Sequence, residues 1–221
     1  MAREATAEKL HQTGAGVTAS VPRPVAVHGD VPPPQAQWTP IGNGRIAVMV
    51  LLGAETMLFT GLIGAYVVLR DSSPMWPPPG MPHLPLAVTW ANTAVLVLSC
   101  VTMQRANAAV RAGNPARLER FLTLTALLGI MFIAVQGSEW IQLVLHGMTV
   151  AGGVYGASFF ALIGLHGLHV LGAVLWLLWV LARARGDRFS AANAVTVDMV
   201  GIYWYYVGGL WLILFPLVYL L

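Results

Sequence analysis

The chain has 221 residues, 57% of them hydrophobic and 10% charged, with a net charge of +3 at pH 7 and a mean hydropathy of +0.70. Soluble domains average roughly 25% charged residues, so this composition excludes a water-soluble globular enzyme and defines an integral membrane protein. The sequence pI near 9.4 does not indicate a nucleic-acid partner, because the basic residues stand at the ends of apolar runs rather than on a face with interleaved aromatics.

Residues 1–42 are polar and rich in proline (Pro22, Pro24, Pro32, Pro33, Pro34, Pro40) and contain no apolar block fit for a signal-peptide core. An extended or disordered N-terminal tail that is not cleaved is expected there. The fold class that follows is all-α: a polytopic membrane bundle of five transmembrane helices within residues 43–221. Its apolar runs cover about 44–70, 85–109, 118–145, 153–183 and 194–221, each long enough to cross ~30 Å of hydrocarbon at 1.5 Å per residue. The separators are breakers and charges: the proline-rich stretch from Asp71 to Pro85, Gly113-Asn114-Pro115, Gly152-Gly153, and Arg183 to Asn193.

With five spans the loops alternate sides. Arg3, Lys9, Arg23, Arg45, Arg105, Arg111, Arg117, Arg120, Arg183, Arg185 and Arg188 all fall on the side of the N-terminus, whereas the other side holds Arg70. The positive-inside rule therefore predicts a cytoplasmic N-terminus and an external C-terminus. The absence of an internal repeat in the sequence argues against a transporter built from inverted halves. The single cysteine, Cys100, lies in an apolar run; it excludes an internal disulfide and reads as a small buried apolar group.

The polar residues inside the spans carry the functional signal. Glu55 lies in LLGAETMLFTGLIGAYVVLR among apolar and small neighbours, where a charge costs roughly 3 kcal/mol, so its carboxyl is either protonated or paired. It shares a helix face with Leu51, Phe59, Leu62 and Tyr66, while Gly53, Gly61 and Ala65 form a separate smooth face suited to close helix contact. Glu139 and Trp140 stand toward the far end of the third span, where an interfacial position is expected for both, and for His146. Asp198 opens the fifth span, where a carboxylate complements the helix dipole.

The fourth span carries His166 and His169, spaced i, i+3 and therefore on one face. Two histidines on one face of one helix cannot clamp a haem from both sides, and a metal site built with Glu55 would need a further ligand. Hydrogen bonding across helices, or to a lipid headgroup or water in a cleft, is the expected use.

At this helix the chain resembles a known family. Tyr155-Gly156-Ala157-Ser158-Phe159-Phe160 followed by Gly164-Leu165-His166-Gly167-Leu168-His169-Val170 is similar to the signature of subunit III of haem-copper respiratory oxidases, roughly YGSTFF then GFHGLHV. Four further stretches agree in order: Gly53-Ala54-Glu55-Thr56-Met57-Leu58-Phe59-Thr60-Gly61; Trp76-Pro77-Pro78 with Gly80; Asn92-Thr93 with Leu96 and Ser99; and Gln136 with Glu139-Trp140. The family often has seven helices, and a five-helix chain resembles its short bacterial form. The resemblance implies a non-catalytic accessory subunit of a proton-pumping terminal oxidase in the bacterial cytoplasmic membrane. Such a subunit packs on catalytic subunit I, binds structural phospholipid in a cleft and supports proton uptake, while haem and copper reside in partner subunits. No catalytic residue and no metal ligand are assigned to this chain. The expected lipid-cleft residues are Glu55, matching the family's cleft glutamate, His166 and His169, the latter matching a histidine at the lipid site, and Arg183, matching an arginine that meets a lipid phosphate. His169 and Arg183 lie about 21 Å apart along a helix, which would place the first near the bilayer middle and the second at headgroup level.

The last helix departs from the family. Where the pattern reads close to WHFVDVVW, this chain has Trp204-Tyr205-Tyr206-Val207-Gly208-Gly209-Leu210-Trp211, so Tyr205 and Gly208 replace the usual His and Asp. Alternative functions are a helper of a quinol oxidase or nitric oxide reductase, or a stand-alone proton-coupled membrane protein. The electron donor, cytochrome c or quinol, is not encoded in this chain.

Overall fold

A computed structural model describes residues 43–81, 84–185 and 191–220. The N-terminal segment, expected to be an extended tail, lies outside the described residues, as does His83. The described chain is helical with no strand, and five helices are long and apolar enough to cross a membrane. They are α1 (Asn43–Asp71), α2 (Leu86–Arg111), α3 (Pro115–Leu145), α4 (Val154–Arg185) and α5 (Ala191–Phe215), the last prolonged by a π turn over Pro216–Leu220. The bounds predicted from the apolar runs agree with these to within a few residues, since each run ends where a breaker or a charge makes hydrocarbon unfavourable.

The sequence punctuates its own turns. After α2 the amide of Asn114 donates to the Ala109 carbonyl and that of Gly113 to the Val110 carbonyl, with Gly113 at φ +63°, which is the glycine-closed helix end. Asn114 then starts α3: its side chain accepts from the Arg117 amide at 3.0 Å, and Pro115 occupies the first turn, where its missing N–H costs nothing. The same closure ends α3, with Gly147 at φ +92° and the Met148 amide bonded to Leu143.

Helices α2, α3, α4 and α5 form a closed ring of neighbours, α2 on α3, α3 on α4, α4 on α5 and α5 back on α2. Its interior is filled by Trp204, Trp211, Phe132 and Phe159, each at most 1% exposed. Polar groups tie the ring together. The Trp211 indole donates to Thr93 Oγ1 at 2.9 Å, the Trp204 indole to Ser99 Oγ at 3.1 Å, and Asn92 Nδ2 to the Phe132 carbonyl at 3.1 Å. In hydrocarbon no solvent competes for these donors, so buried indoles are tolerated only where such partners exist.

Helix α1 lies outside this ring, against α5 and the first part of α4. It buries 17% of its apolar stretch, compared with 56% for α5. Its buried side chains are Val48, Glu55, Phe59 and Tyr66, a single stripe that includes the predicted Glu55 face. The smooth face of Gly53, Gly61 and Ala65 turns away: all three are exposed, and a Cβ on Gly53 or Gly61 would meet no atom within 4 Å. Among the described residues nothing packs on Gly53 or Gly61. Beyond α1 the following loop folds back, with Trp76 edge-on to Tyr66 at 5.6 Å and to Tyr155 at 5.0 Å.

Helix α4 contains a feature that the apolar pattern does not reveal. After one and a half turns it widens into a π turn over Phe160–Gly164, immediately before the histidine motif. The extra residue in the turn rotates everything that follows by about 100° relative to an unbroken α-helix. The directions of His166 and His169 are therefore set by this turn.

Candidate functional site

Glu55 sits about 18 Å along α1, near the midpoint of a ~30 Å apolar layer. Three helices meet there. From α5 the Tyr203 hydroxyl donates to Glu55 Oε1 at 3.1 Å, and from α4 the His169 Nε2 lies 3.7 Å from the same oxygen. Glu55 is 8% exposed, and its Oε2 has no hydrogen-bond partner among the described residues. Phe59, one turn along α1, packs edge-on to the His169 ring at 5.2 Å and shields the pair.

The tautomer of His169 follows from its other nitrogen. Nδ1 lies 2.7 Å from the Leu165 carbonyl, which can only accept, so Nδ1 carries the hydrogen. In the neutral ring Nε2 then presents a lone pair toward Glu55. The contact is complementary when one proton lies between the two groups, on the carboxyl or on the ring, and unfavourable when both are stripped. Glu55 and His169 thus form a close carboxyl–imidazole contact where α1 meets α4, the kind of partner an intramembrane carboxyl requires.

Of the expected cleft residues, the structure brings Glu55 and His169 together and leaves the other two apart. His166, 1% exposed, is stacked on Trp211 at 5.4 Å inside the ring, 6.4 Å from Phe59, and neither of its nitrogens has a partner among the described residues. Arg183 lies toward the arginine-rich end of α4, exposed, with its guanidinium 4.7 Å over the Trp179 ring.

The surroundings of several residues differ from what the sequence suggested. Tyr203 is the hydroxyl donor to Glu55, yet 148 positions separate them and nothing local links the two. Glu139, expected at the membrane interface, is 4% exposed instead. Gln136 Nε2 donates to its Oε2 at 3.1 Å and to the Tyr219 hydroxyl at 3.0 Å, and Thr89 of α2 lies at 3.3 Å from Oε1. The i, i+3 spacing of Gln136 and Glu139 was the available signal, since it puts both on the inward face. Trp140, likewise expected in the interfacial belt, is folded over α4 at Gly167, where a Cβ would collide with its ring. Asp198 does more than complement a dipole: it pairs with Arg45 of α1 at 2.6 Å and Arg111 of α2 at 3.6 Å. Among the described residues no group of three His, Cys, Asp or Glu side chains is arranged to hold a metal.

The departures in α5 also find a place. Tyr205 accepts a long hydrogen bond, 3.5 Å, from Asn107 of α2, and Gly208 lets α5 approach Cys100, whose sulfur lies where a side chain at 208 would begin.

These features define an all-α, multi-pass membrane protein with a helix seated on a four-helix ring through a buried carboxyl–imidazole–phenol contact. The sequence profile described as Cytochrome c oxidase subunit III matches residues 37–221. The chain is 37% identical to the Cytochrome c oxidase subunit 3 of Synechocystis sp. over 175 residues, 79% of this chain and 74% of that protein. It is 35% identical to the Probable cytochrome c oxidase subunit 3 of Nocardia farcinica and to the Cytochrome c oxidase subunit 3 of Corynebacterium diphtheriae, each over 79% of this chain and 86% of the relative. The chain belongs to the cytochrome c oxidase subunit III family.

The Glu55 site predicts a coupled pair. Tyr203→Phe removes the donor and leaves a buried carboxyl oxygen unmet, which should cost about 1–3 kcal/mol of stability in thermal unfolding of the purified protein. Combined with Glu55→Gln, the losses should fall short of the sum of the single losses by about 0.5 kcal/mol or more. Strict additivity would show that the two side chains do not interact.

Proposed function

We propose that this chain is the accessory subunit III of a proton-pumping haem-copper terminal oxidase, which reduces oxygen to water in aerobic respiration. It contributes no redox centre and no catalytic residue; haem and copper belong to partner subunits. The chain lies in the bacterial cytoplasmic membrane with its N-terminus in the cytoplasm, an orientation supported by the arginines gathered at one end of the bundle.

The observation that carries this reading is the family match over residues 37–221 together with the Glu55–His169 contact at the place where the family's cleft glutamate and lipid-site histidine fall. In this reading α1 and α4 form a wall for structural phospholipid. Glu55 and His169 hold a proton at mid-depth, and Arg183 meets the phosphate at the cytoplasmic headgroup level, where its planar fork donates two hydrogen bonds to one phosphate. The exposed apolar residues of α1, among them Met49, Val50, Met57 and Val68, face either lipid or the catalytic subunit I on which the chain packs. The proton held between Glu55 and His169 supports proton uptake by that subunit.

The test is purification of the tagged chain from its own membranes in mild detergent. A haem-bearing catalytic subunit should co-purify and give visible haem bands, and the chain separated from it should give none. Haem absorption from the separated chain, or proton-coupled activity in liposomes that contain it alone, would overturn the reading; a co-purifying nitric oxide reductase would reassign it. For the lipid wall, Arg183→Ala should lower the phospholipid retained by the purified complex on mass spectrometry, with assembly intact. Unchanged lipid content would reject the headgroup role.

A further inference from the structure

Helices α2 and α5 leave an open groove between them toward the arginine-rich end of the bundle. Its volume is about 970 Å³, at the upper end of the roughly 300–1,000 Å³ common to small-molecule sites. Val97, Val101, Gln104, Ala108 and Arg111 line it from α2, all exposed, and their spacing by three or four positions puts them on one helix face. Tyr205 lines it from α5. Two glycines of α5 set the approach of the helices: a Cβ at Gly201 would lie 2.7 Å from Asn107 Nδ2, and one at Gly208 2.9 Å from the Cys100 sulfur. Both departures of α5 from the family pattern, Tyr205 and Gly208, thus fall at this groove, and its accessible wall is polar as well as apolar.

The wall is graded along the helix. Arg111 ends α2, and its side chain is 74% exposed. Measured back along the axis, Asn107 lies about 6 Å from it, Gln104 about 10 Å, Cys100 about 16 Å and Val97 about 21 Å. A phospholipid leaflet presents groups to match in that order, first phosphate, then ester carbonyls, then acyl chain. The polar groups left for a ligand favour an acceptor. Arg111 only donates, and the Tyr205 hydroxyl accepts from Asn107 at 3.5 Å, which leaves its own hydrogen without an acceptor among the described residues. Gln104 adds an exposed amide. Charge points the same way. Arg45 and Arg111 face one carboxylate, Asp198, at 2.6 and 3.6 Å, so the trio carries one positive charge in excess. No Asp or Glu among the described residues lines the groove, so nothing there would meet an ammonium. A partner helix fits less well, because an acidic side chain on it would answer Arg111 and leave the donors of Gln104 and Tyr205 against apolar neighbours.

We propose that the α2–α5 groove binds an anionic phospholipid whose headgroup carries no ammonium. Its phosphate meets Arg111, its ester oxygens meet Gln104 and Tyr205, and one acyl chain follows Val101 and Val97. The site is separate from the α1–α4 wall, which uses Arg183. It does not rest on the oxidase reading, because every group in it belongs to this chain.

The test uses the protein purified from its own membranes with whatever co-purifies, placed in nanodiscs of equal parts phosphatidylglycerol and phosphatidylcholine. A trace of one lipid or the other carries a diazirine on its acyl chain, and label sites are mapped by peptide mass spectrometry. Residues 97–108 should take the phosphatidylglycerol probe about fivefold over the phosphatidylcholine probe, the preference that one arginine at a membrane surface gives. The exposed Met57 face of α1 should take both alike. Arg111→Gln should bring the groove to the Met57 ratio. Tyr205→Phe keeps the ring and should weaken labelling of the groove by both probes about threefold, the equivalent of one neutral hydrogen bond. Arg105→Gln removes an exposed arginine about 100° around α2 from Gln104, and should leave the groove unchanged. Equal labelling by the two probes, or unchanged labelling in Arg111→Gln or Tyr205→Phe, would overturn the proposal. So would an equal loss in Arg105→Gln, the result of diffuse attraction, or label from neither probe, the result of a partner helix seated in the groove.

Discussion

A carboxyl placed at mid-depth in an apolar helix must be met from within the protein, and in this molecule that requirement decides where α1 goes. Lipid tails are as apolar as leucine, so nothing comparable to the hydrophobic effect presses one membrane helix on another; packing and polar contacts supply the specificity. Helix α1 has little packing to offer, with four buried side chains in one stripe. Its polar contacts are correspondingly important. Arg45 reaches Asp198 near one end, Glu55 meets Tyr203 and His169 at the centre, and Thr56 reaches the Tyr206 hydroxyl at 3.3 Å beside it. The central contact is the buried one, and it joins α1 to α4 and α5 at once.

The four-helix ring follows a different logic. Its aromatic interior is fixed by short hydrogen bonds from Trp204 and Trp211 to hydroxyls of α2, and α3 contributes a second polar cluster through Gln136 and Glu139. The ring closes through contacts among α2, α3, α4 and α5 alone, whereas α1 packs mainly on α5 and the first part of α4. The exposed glycine face of α1 fits this arrangement, because a helix held along one stripe leaves its opposite face for lipid or another chain. Family membership and the proposed accessory role are consistent with such a division between a self-contained ring and a helix that is partly outward-facing.

The spans were legible because hydrocarbon imposes a length and an apolarity that few sequences meet by chance, and because Gly113-Asn114-Pro115 spells a helix stop, cap and start. Glu55 stood out for the same reason, as the one carboxylate with apolar neighbours on every side. Its partner did not, because pairing of α1 with α5 depends on how helices are arranged rather than on any local pattern. Glu139 and Trp140 were placed at the interface from their distance to a helix end. The structure puts both inward, since the direction of a side chain is set by helical phase as well as depth. His166 and His169 share a face in sequence yet serve different neighbours: the first looks to α3 and α5, the second to α1. The π turn that sets their phase has no signature in the apolar periodicity, which runs through it unbroken.

The claim on which this account depends is that Glu55 seats α1. The direct measurement is a distance distribution between spin labels at Ala47 of α1 and Ala182 of α4, both exposed, in lipid nanodiscs on a Cys100→Ala background. The distribution should be narrow in the parent, broaden or shift in Glu55→Ala, and stay narrow in Leu51→Ala, which alters an exposed residue one turn away. An unchanged distribution in Glu55→Ala would contradict the claim.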